Sequence, residues 1–491
     1  MWWTPKRLAL VLASASTLTA GLAGCADFPP VRSVRIATAG ISEVMCNAAF
    51  VSRIDPQRAD TDEMRPADGM GLIAWGLRSE VDAERHEVRT TFAGRALGRA
   101  VWREGGGCTV AHGDAAPVAP AAIQRVERPD PYPGLALPAP VPAENPRIAA
   151  AVDAAFVEEP DATPRRTQAV LVVQHGRILA ERYAADITPD TPLAGHSVSK
   201  SVVHALVGVL ARQGRLNPDA PIAVPAWQAP GDPRAAITPN LLLANASGLP
   251  WDEANRGWDG ATRMWHVEPD PAAFAMSLPA EAAPGTGFAY SNAGWTVLSR
   301  VLRDLNGGSA DGFNAFAERE LLAPLGMRHT VLTLDATGTP MGANLFFASA
   351  RDWARFGLLY LNDGVVNGQR LLPEGWVREA RTPTLDAGYG RGFWLNHRHD
   401  RHPLPGRWGL TGAPAEAFFA RGYLGQFIVI VPSLDLVVVR LGVSYRAGGD
   451  VETVGQLVGE VAAALEAPFT VAGEAPGAAS GKSSVKTKLV P

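Results

Sequence analysis

Two apolar hairpins set far apart constrain the fold of this chain more than any other feature. Gln168-Ala-Val-Leu-Val-Val-Gln174 and Arg177-Ile-Leu-Ala-Glu-Arg-Tyr183 are strand-like and joined by His175-Gly176. Near the other end, Gln426-Phe-Ile-Val-Ile-Val431 and Leu436-Val-Val-Val-Arg-Leu441 pair through Pro432-Ser-Leu-Asp435, and Val451 to Leu465 reads as a helix. Two hairpins and a terminal helix predict an antiparallel sheet covered by helices, a mixed α/β (α+β) class. Between them lie an apolar helix predicted over Val198 to Arg212, stopped by Gly214, and a largely helical region from about 236 to 385.

The chain ahead of the first hairpin divides into three parts. Met1 to Gly24 looks like a secretory leader, with Lys6 and Arg7 before the apolar run Leu8 to Leu22. Leu22-Ala23-Gly24-Cys25 resembles the lipobox of bacterial lipoproteins, which implies lipidation of Cys25 and a membrane-anchored protein of the cell envelope facing the periplasm. Residues 25–114 form a small N-terminal domain, in which the segment 88–103 reads as two strands around Gly94. Cys46 and Cys108 are the cysteines left after Cys25; an even pair in an exported protein points to one disulfide, two free buried thiols being the alternative. No chemical constellation is visible in this domain, and a supporting or partner-facing role is the expectation. Residues 115–146, rich in proline and alanine, read as a linker or a strap. The large domain follows over 147–468, and the small, polar stretch 469–491 reads as a disordered tail.

Lysine usage marks the chemistry. Lys200 is the only lysine between Lys6 and Lys482, arginine supplying positive charge elsewhere. A guanidinium cannot give up its proton, whereas a desolvated amine can act as a base. Ser197 lies three residues upstream, at the predicted helix start, where the macrodipole favours developing negative charge. That spacing puts Oγ and Nζ one turn apart on one face, as an activated nucleophile requires. The competing reading is a serine N-cap beside a solvated charge. Tyr290 and Asn292 close a glycine-rich loop before a helix predicted over Thr296 to Leu305, and a phenol beside an ammonium can share proton transfer. Arg421-Gly-Tyr423-Leu-Gly425-Gln426 opens the strand 426–431. Its glycines let a substrate carbonyl approach the backbone, and the N–H groups of Gln426 and Ser197 are the candidate oxyanion pair. A net charge of −4 gives no electrostatic case for nucleic acid.

Ser-x-x-Lys, Tyr-x-Asn and the glycine-rich strand entry, in this order, resemble the serine hydrolases of the class C β-lactamase and penicillin-binding-protein superfamily over roughly residues 150 to 468. Ile237-Thr-Pro-Asn-Leu-Leu-Leu-Ala-Asn-Ala-Ser-Gly-Leu249 and the segment Asn344 to Gly357 resemble the branch that includes 6-aminohexanoate-dimer hydrolases and related esterases. The resemblance implies a β-lactamase/transpeptidase-like antiparallel sheet flanked by helices, with an all-helical subdomain. It implies an acyl-enzyme on Ser197, Lys200 as base, Tyr290 as proton donor held with help from Asn292, and a small-molecule ester or amide substrate contacted near Tyr423 and Gly425. No metal or organic cofactor is implied. Tyr423 stands where the superfamily has Lys or His, a cation that would bind a substrate carboxylate; Arg421 or Arg391 are the replacements in view. The rival readings are a D-Ala-D-Ala carboxypeptidase or weak β-lactamase, and a non-catalytic envelope lipoprotein that binds through its cleft. His397, His399, Asp400 and His402 fall near a metallo-hydrolase pattern with the aspartate one place early, and read as solvated imidazoles. His175 and His204 read as structural, and Trp251, Trp265, Trp394 and Trp408 as pocket walls or core.

Overall fold

The computed structural model describes residues 29–113, 115–250, 259–385, 387–396 and 409–466. Cys25 with the leader, the His397 to His402 cluster, Trp251, Trp408 and the tail lie outside them.

The N-terminal domain is a long helix on a four-stranded meander. Helix α1 (Pro29–Cys46) packs against β1 (Leu77–Asp82), β2 (Glu87–Phe92), β3 (Arg95–Arg103) and β4 (Gly107–Val110), paired in that order. Ala37, Ile41 and Met45 recur at helical spacing and meet Leu77, Val88 and Ala100 of the sheet. Gly98 makes the close contact possible: a Cβ there would lie 2.2 Å from the Thr38 carbonyl oxygen. By length and hydropathy the stretch Val31–Ser52 would suit a membrane, yet 72% of its most apolar window is buried here, so its apolarity serves a core. The strands flank Gly94 as expected. Cys46, ending α1, is bonded to Cys108 of β4 with Cα atoms 6.0 Å apart. The bond closes a separation of 62 residues. By the loop-closure argument, replacing both cysteines by alanine should cost this domain about 4 kcal/mol, read as a fall in its denaturant midpoint.

Residues 115–146 are a strap. Its backbone and side chains bind along the large domain: the Arg125 guanidinium to Glu318 at 2.9 Å, Arg355 to Asp130 at 2.7 Å, and the Val141 N–H to Glu181 at 3.0 Å. Glu181 is also paired with buried Arg351 at 2.6 Å. The Arg351, Asp352 and Arg355 of the esterase-like segment therefore anchor the strap and its neighbours.

The large domain is built on a six-stranded antiparallel sheet. It comprises β5 (Thr167–Gln174), β6 (Arg177–Tyr183), β7 (Trp394–Leu395), β8 (Phe418–Gly422), β9 (Gln426–Val431) and β10 (Leu436–Gly442), in the order β7-β8-β9-β10-β5-β6. The two hairpins meet through β10 and β5, with Val438 opposite Val172. The apolar runs Ala169–Val173 and Phe427–Val431 follow from burial on both faces. Leu171, Val173, Ile428, Ile430, Val437 and Val439 face one core, and Val170, Val172, Phe427, Val429 and Val438 the other, the period of two expected of a strand. Helices α3 (Val198–Arg212) and α5 (Ala350–Leu361) cover the first face; α2 (Pro146–Ala154) and α6 (Val451–Glu466) cover the second. Helix α4 (Asn292–Leu305) begins four residues earlier than expected, because Ser291 caps it and the small residues Ala293 and Gly294 continue it. The largely helical region also carries small antiparallel pieces, among them Thr330–Leu332 paired with Phe346–Ala348.

Candidate active site

The site forms where α3, α4 and the β8–β9 turn converge. Ser197 is the N-cap of α3, but its side chain makes no capping bond. Instead Lys200 Nζ lies 2.8 Å from Ser197 Oγ, so the serine holds the N-cap position without its hydroxyl serving as the cap. Lys200 is 1% exposed, which also removes the solvated-charge reading. Its Nζ donates to Asn292 Oδ1 and to the Ala343 carbonyl, each at 2.7 Å.

These contacts have a chemical consequence. The Asn292 oxygen and the Ala343 carbonyl can only accept, so each holds one N–H of the lysine. A neutral amine has two N–H bonds and one lone pair, so a neutral Lys200 that gives its N–H bonds to these two oxygens can turn its lone pair to Ser197 Oγ. The geometry suits proton transfer from the hydroxyl.

Local backbone features bring the pieces within reach. His196, directly before Ser197, has φ 44°, an unusual value for a residue with a side chain. Ser199 Oγ donates to the His196 carbonyl at 2.6 Å and accepts from the Phe346 N–H at 2.9 Å, which holds that turn. Gly195 and Gly422 meet backbone to backbone: a Cβ on Gly422 would lie 2.1 Å from the Gly195 oxygen. This close approach sets the β8–β9 turn beside Ser197. Buried Arg440 donates to the Gly425 carbonyl at 2.8 Å and fixes the turn from behind. The Gln426 side chain is committed to the Tyr423 and Gly442 carbonyls, leaving only its backbone for an oxyanion role.

Tyr290 is buried, with its ring centroid 4.8 Å from Lys200 Nζ. Trp394 stacks on it at 5.4 Å and Tyr389 meets it edge-on at 5.9 Å. Asn245, from the segment Ile237 to Leu249, accepts from the Ser291 N–H and the Trp295 indole and so positions the start of α4. Tyr423 is 41% exposed and lies edge-on to His196 at 5.9 Å. The two arginines considered as carboxylate binders are committed elsewhere: Arg421 to the Gly448 carbonyl at 2.8 Å, Arg391 to Glu379 and Asn240. His204 is structural, stacked on Trp376 and bonded to Tyr360, and His175 pairs with Asp435 in the hairpin turn. Among the described residues no group of His, Cys, Asp and Glu is arranged to hold a metal.

Ser197, His196, Tyr423 and Gln426 line one cavity of about 470 Å³. Its opposite wall is the N-terminal domain, a role that nothing in the sequence announces. Glu43, Asn47 and Glu63 belong to that wall. The Ala343 carbonyl and Arg440 are further contributors that the sequence does not mark. The carbonyl is backbone and carries no residue-type signal, and Arg440 reads as an ordinary strand residue.

A cavity-facing serine on a buried lysine, beside the turn of a helix-covered antiparallel sheet, defines a class of serine hydrolases. The chain belongs to the beta-lactamase family, whose model matches residues 152–462. It is 28% identical over 294 residues to the 6-aminohexanoate-dimer hydrolase of Paenarthrobacter ureafaciens, an overlap of 56% of this chain and 72% of that protein. Its fold is similar to that of EstCE1, a hydrolase with promiscuous acyltransferase activity, with a TM-score of 0.51 and 17% identity over 67% of this chain and 98% of that one. A penicillin-binding-protein homologue from Caulobacter crescentus matches with a TM-score of 0.50 and 15% identity, over 66% and 98%.

Proposed function

We propose that this serine hydrolase cleaves a carboxylic ester or a small linear amide through an acyl-enzyme on Ser197. The observation that carries the reading is the 2.8 Å contact between Lys200 Nζ and Ser197 Oγ, with Nζ otherwise held by acceptors. Oγ attacks the substrate carbonyl as its proton passes to Nζ, and the N–H groups of Ser197 and Gln426 receive the oxyanion. The proton then goes to the leaving alcohol or amine by way of Tyr290. Water attacks the acyl carbon by the same route in reverse, releasing the acid and restoring the hydroxyl. The relative named as a 6-aminohexanoate-dimer hydrolase supports this class. Against penicillin and D-Ala-D-Ala substrates stand the tyrosine at 423, the committed arginines and an acidic pocket wall, none of which favours a substrate carboxylate.

The test is a fluorophosphonate probe on the folded chain, followed by intact-mass measurement and peptide mapping. One adduct on Ser197 is expected; a folded protein that takes none would overturn the proposal. Tyr290→Phe keeps the ring and its stacking on Trp394 but removes the hydroxyl. It should lower kcat/KM by about a hundredfold, with a larger loss for substrates whose leaving group is a poor one. An equal loss for good and poor leaving groups would remove Tyr290 from the protonation step. We also infer that the chain is exported and anchored through Cys25, a reading supported by the lipobox pattern and by the Cys46–Cys108 bond, which suits an oxidising compartment. Metabolic labelling with a palmitate analogue should mark the wild type and not Cys25→Ala.

A further inference from the structure

Helix α1 and strand β3 run side by side in the same direction. Gly98 meets Thr38, and Trp102 pairs with Cys108, the residue bonded to Cys46. Four residues of strand and eight of helix both span about 12 Å, so the start of β3 lies level with the first turns of α1. Arg95 at that start pairs with Phe92, and Phe92 with Leu77. The segment leading into Leu77, a helical turn Met70–Ile73 continued by Ala74–Gly76, is thereby held at the α1 N-terminal end of the domain.

This segment carries the two most exposed large apolar side chains among the described residues: Leu72 is 81% exposed and Trp75 69%. Their spacing of three puts them on one side of the turn. Trp75 meets Phe92 edge-on at 5.4 Å, which steadies its ring. Arginines gather at the same end: Arg32 and Arg35 in the first turns of α1, Arg95, and Arg78, which donates to the Trp75 and Leu77 carbonyls at 3.2 and 2.7 Å. The acids near them are Asp68, Glu80, which stands opposite Arg89 in the sheet, and Glu268, which is paired with Arg263, so this end is net positive. Leu72 also lines the cavity that holds Ser197, together with Ser33 and Val34 of α1. Since Leu72 is mostly exposed, the cavity reaches the surface here.

We propose that this end of the N-terminal domain docks on an anionic lipid surface. Leu72 and Trp75 enter the interface, the arginines meet lipid phosphates, and the cavity that leads to Ser197 opens toward the lipid. Tryptophan and leucine set among arginines suit such a surface, apolar where acyl chains begin and cationic at the level of the headgroups. Cys25 precedes Pro29 by four residues, a reach of at most about 14 Å. Of the surfaces that could cover these side chains, a bilayer is the one that an acyl group on Cys25 brings within reach. The choice of occupant rests on that reading of Cys25, and it is independent of the chemistry at Ser197.

The test uses the chain from Ala26 onward, which lacks the acylation site and keeps every described residue. It is sedimented with vesicles of phosphatidylglycerol and phosphatidylethanolamine, and with vesicles of phosphatidylcholine alone. Binding to the anionic vesicles is expected to be about tenfold or more the stronger, and to weaken as salt is raised. Leu72→Ser combined with Trp75→Ser should weaken it by about tenfold or more without moving the thermal midpoint, whereas Trp75→Phe alone should keep most of it. No binding to anionic vesicles, or binding that the double substitution leaves intact, overturns the proposal. So does a wild-type dimer in gel filtration that the double substitution separates, because a second copy would then cover this face. Palmitate labelling reports on the anchor separately. A labelled Cys25 with no vesicle binding by the Ala26 chain removes the docking face and leaves the anchor; vesicle binding without labelling removes the anchor and leaves the face.

Discussion

Ser197→Ala should lower kcat/KM by about 10⁵ or more against any substrate the wild type turns over, with the thermal midpoint little changed. The size follows from the mechanism: without Oγ there is no acyl-enzyme, and the remaining groups can only orient a water molecule poorly. The fold should survive because the hydroxyl caps no helix end and binds only at the site. Water can take its place beside Nζ, since Ser197 faces the cavity. The measurement is turnover of an activated ester by wild type and variant, with circular dichroism melts alongside. Residual activity above about a hundredth of wild type, in a sample free of wild-type enzyme, would remove Ser197 as the nucleophile. A wild type with no turnover of esters or amides would revive the binding-lipoprotein reading.

Much of the scaffold was legible because its signals are local. The short β-branched runs around Val172, Val429 and Val438 lie between turn residues, as strands buried on both faces do, and Val198 to Arg212 is followed by a glycine whose φ of 66° no other residue adopts so easily. The serine–lysine pair was legible for the same reason: three residues of spacing on a helix fix its geometry in advance. What stayed hidden depends on distant contacts. Nothing local to Glu43, Asn47 or Glu63 marks them as lining one cavity with a serine some 130 to 150 residues downstream. Their meeting there depends on how the two domains pack, which sequence periodicity does not report. The start of α4 is hidden because Asn292, Ala293 and Gly294 are poor helix signals, and it is the Ser291 cap and the Asn245 contacts that fix it. Arg421 and Arg391 are available by sequence alone, and each is used up by a neighbour that sequence does not pair with it.

Replacing Lys200 should separate a base from a mere positive charge. In Lys200→Arg the charge persists, but the guanidinium cannot accept the Ser197 proton, and kcat/KM should fall by about 10⁴. The wider planar group also has to fit a position that is 1% exposed, so some loss of stability is expected with it. Lys200→Ala gives the cleaner case. It empties the space between Asn292 Oδ1 and the Ala343 carbonyl, two acceptors that the lysine Nζ had satisfied, and a small amine can enter and donate to both. Ethylamine should therefore restore part of the activity of Lys200→Ala, and the restored rate should climb with pH as the neutral fraction of the added amine grows. Guanidine should restore none at any pH. If the lysine only stabilised charge, both cations would rescue and neither would show that rise with pH. A Lys200→Arg variant that kept more than about a tenth of wild-type activity would contradict the assignment directly, because no other lysine lies between Lys6 and Lys482 to take the proton in its place.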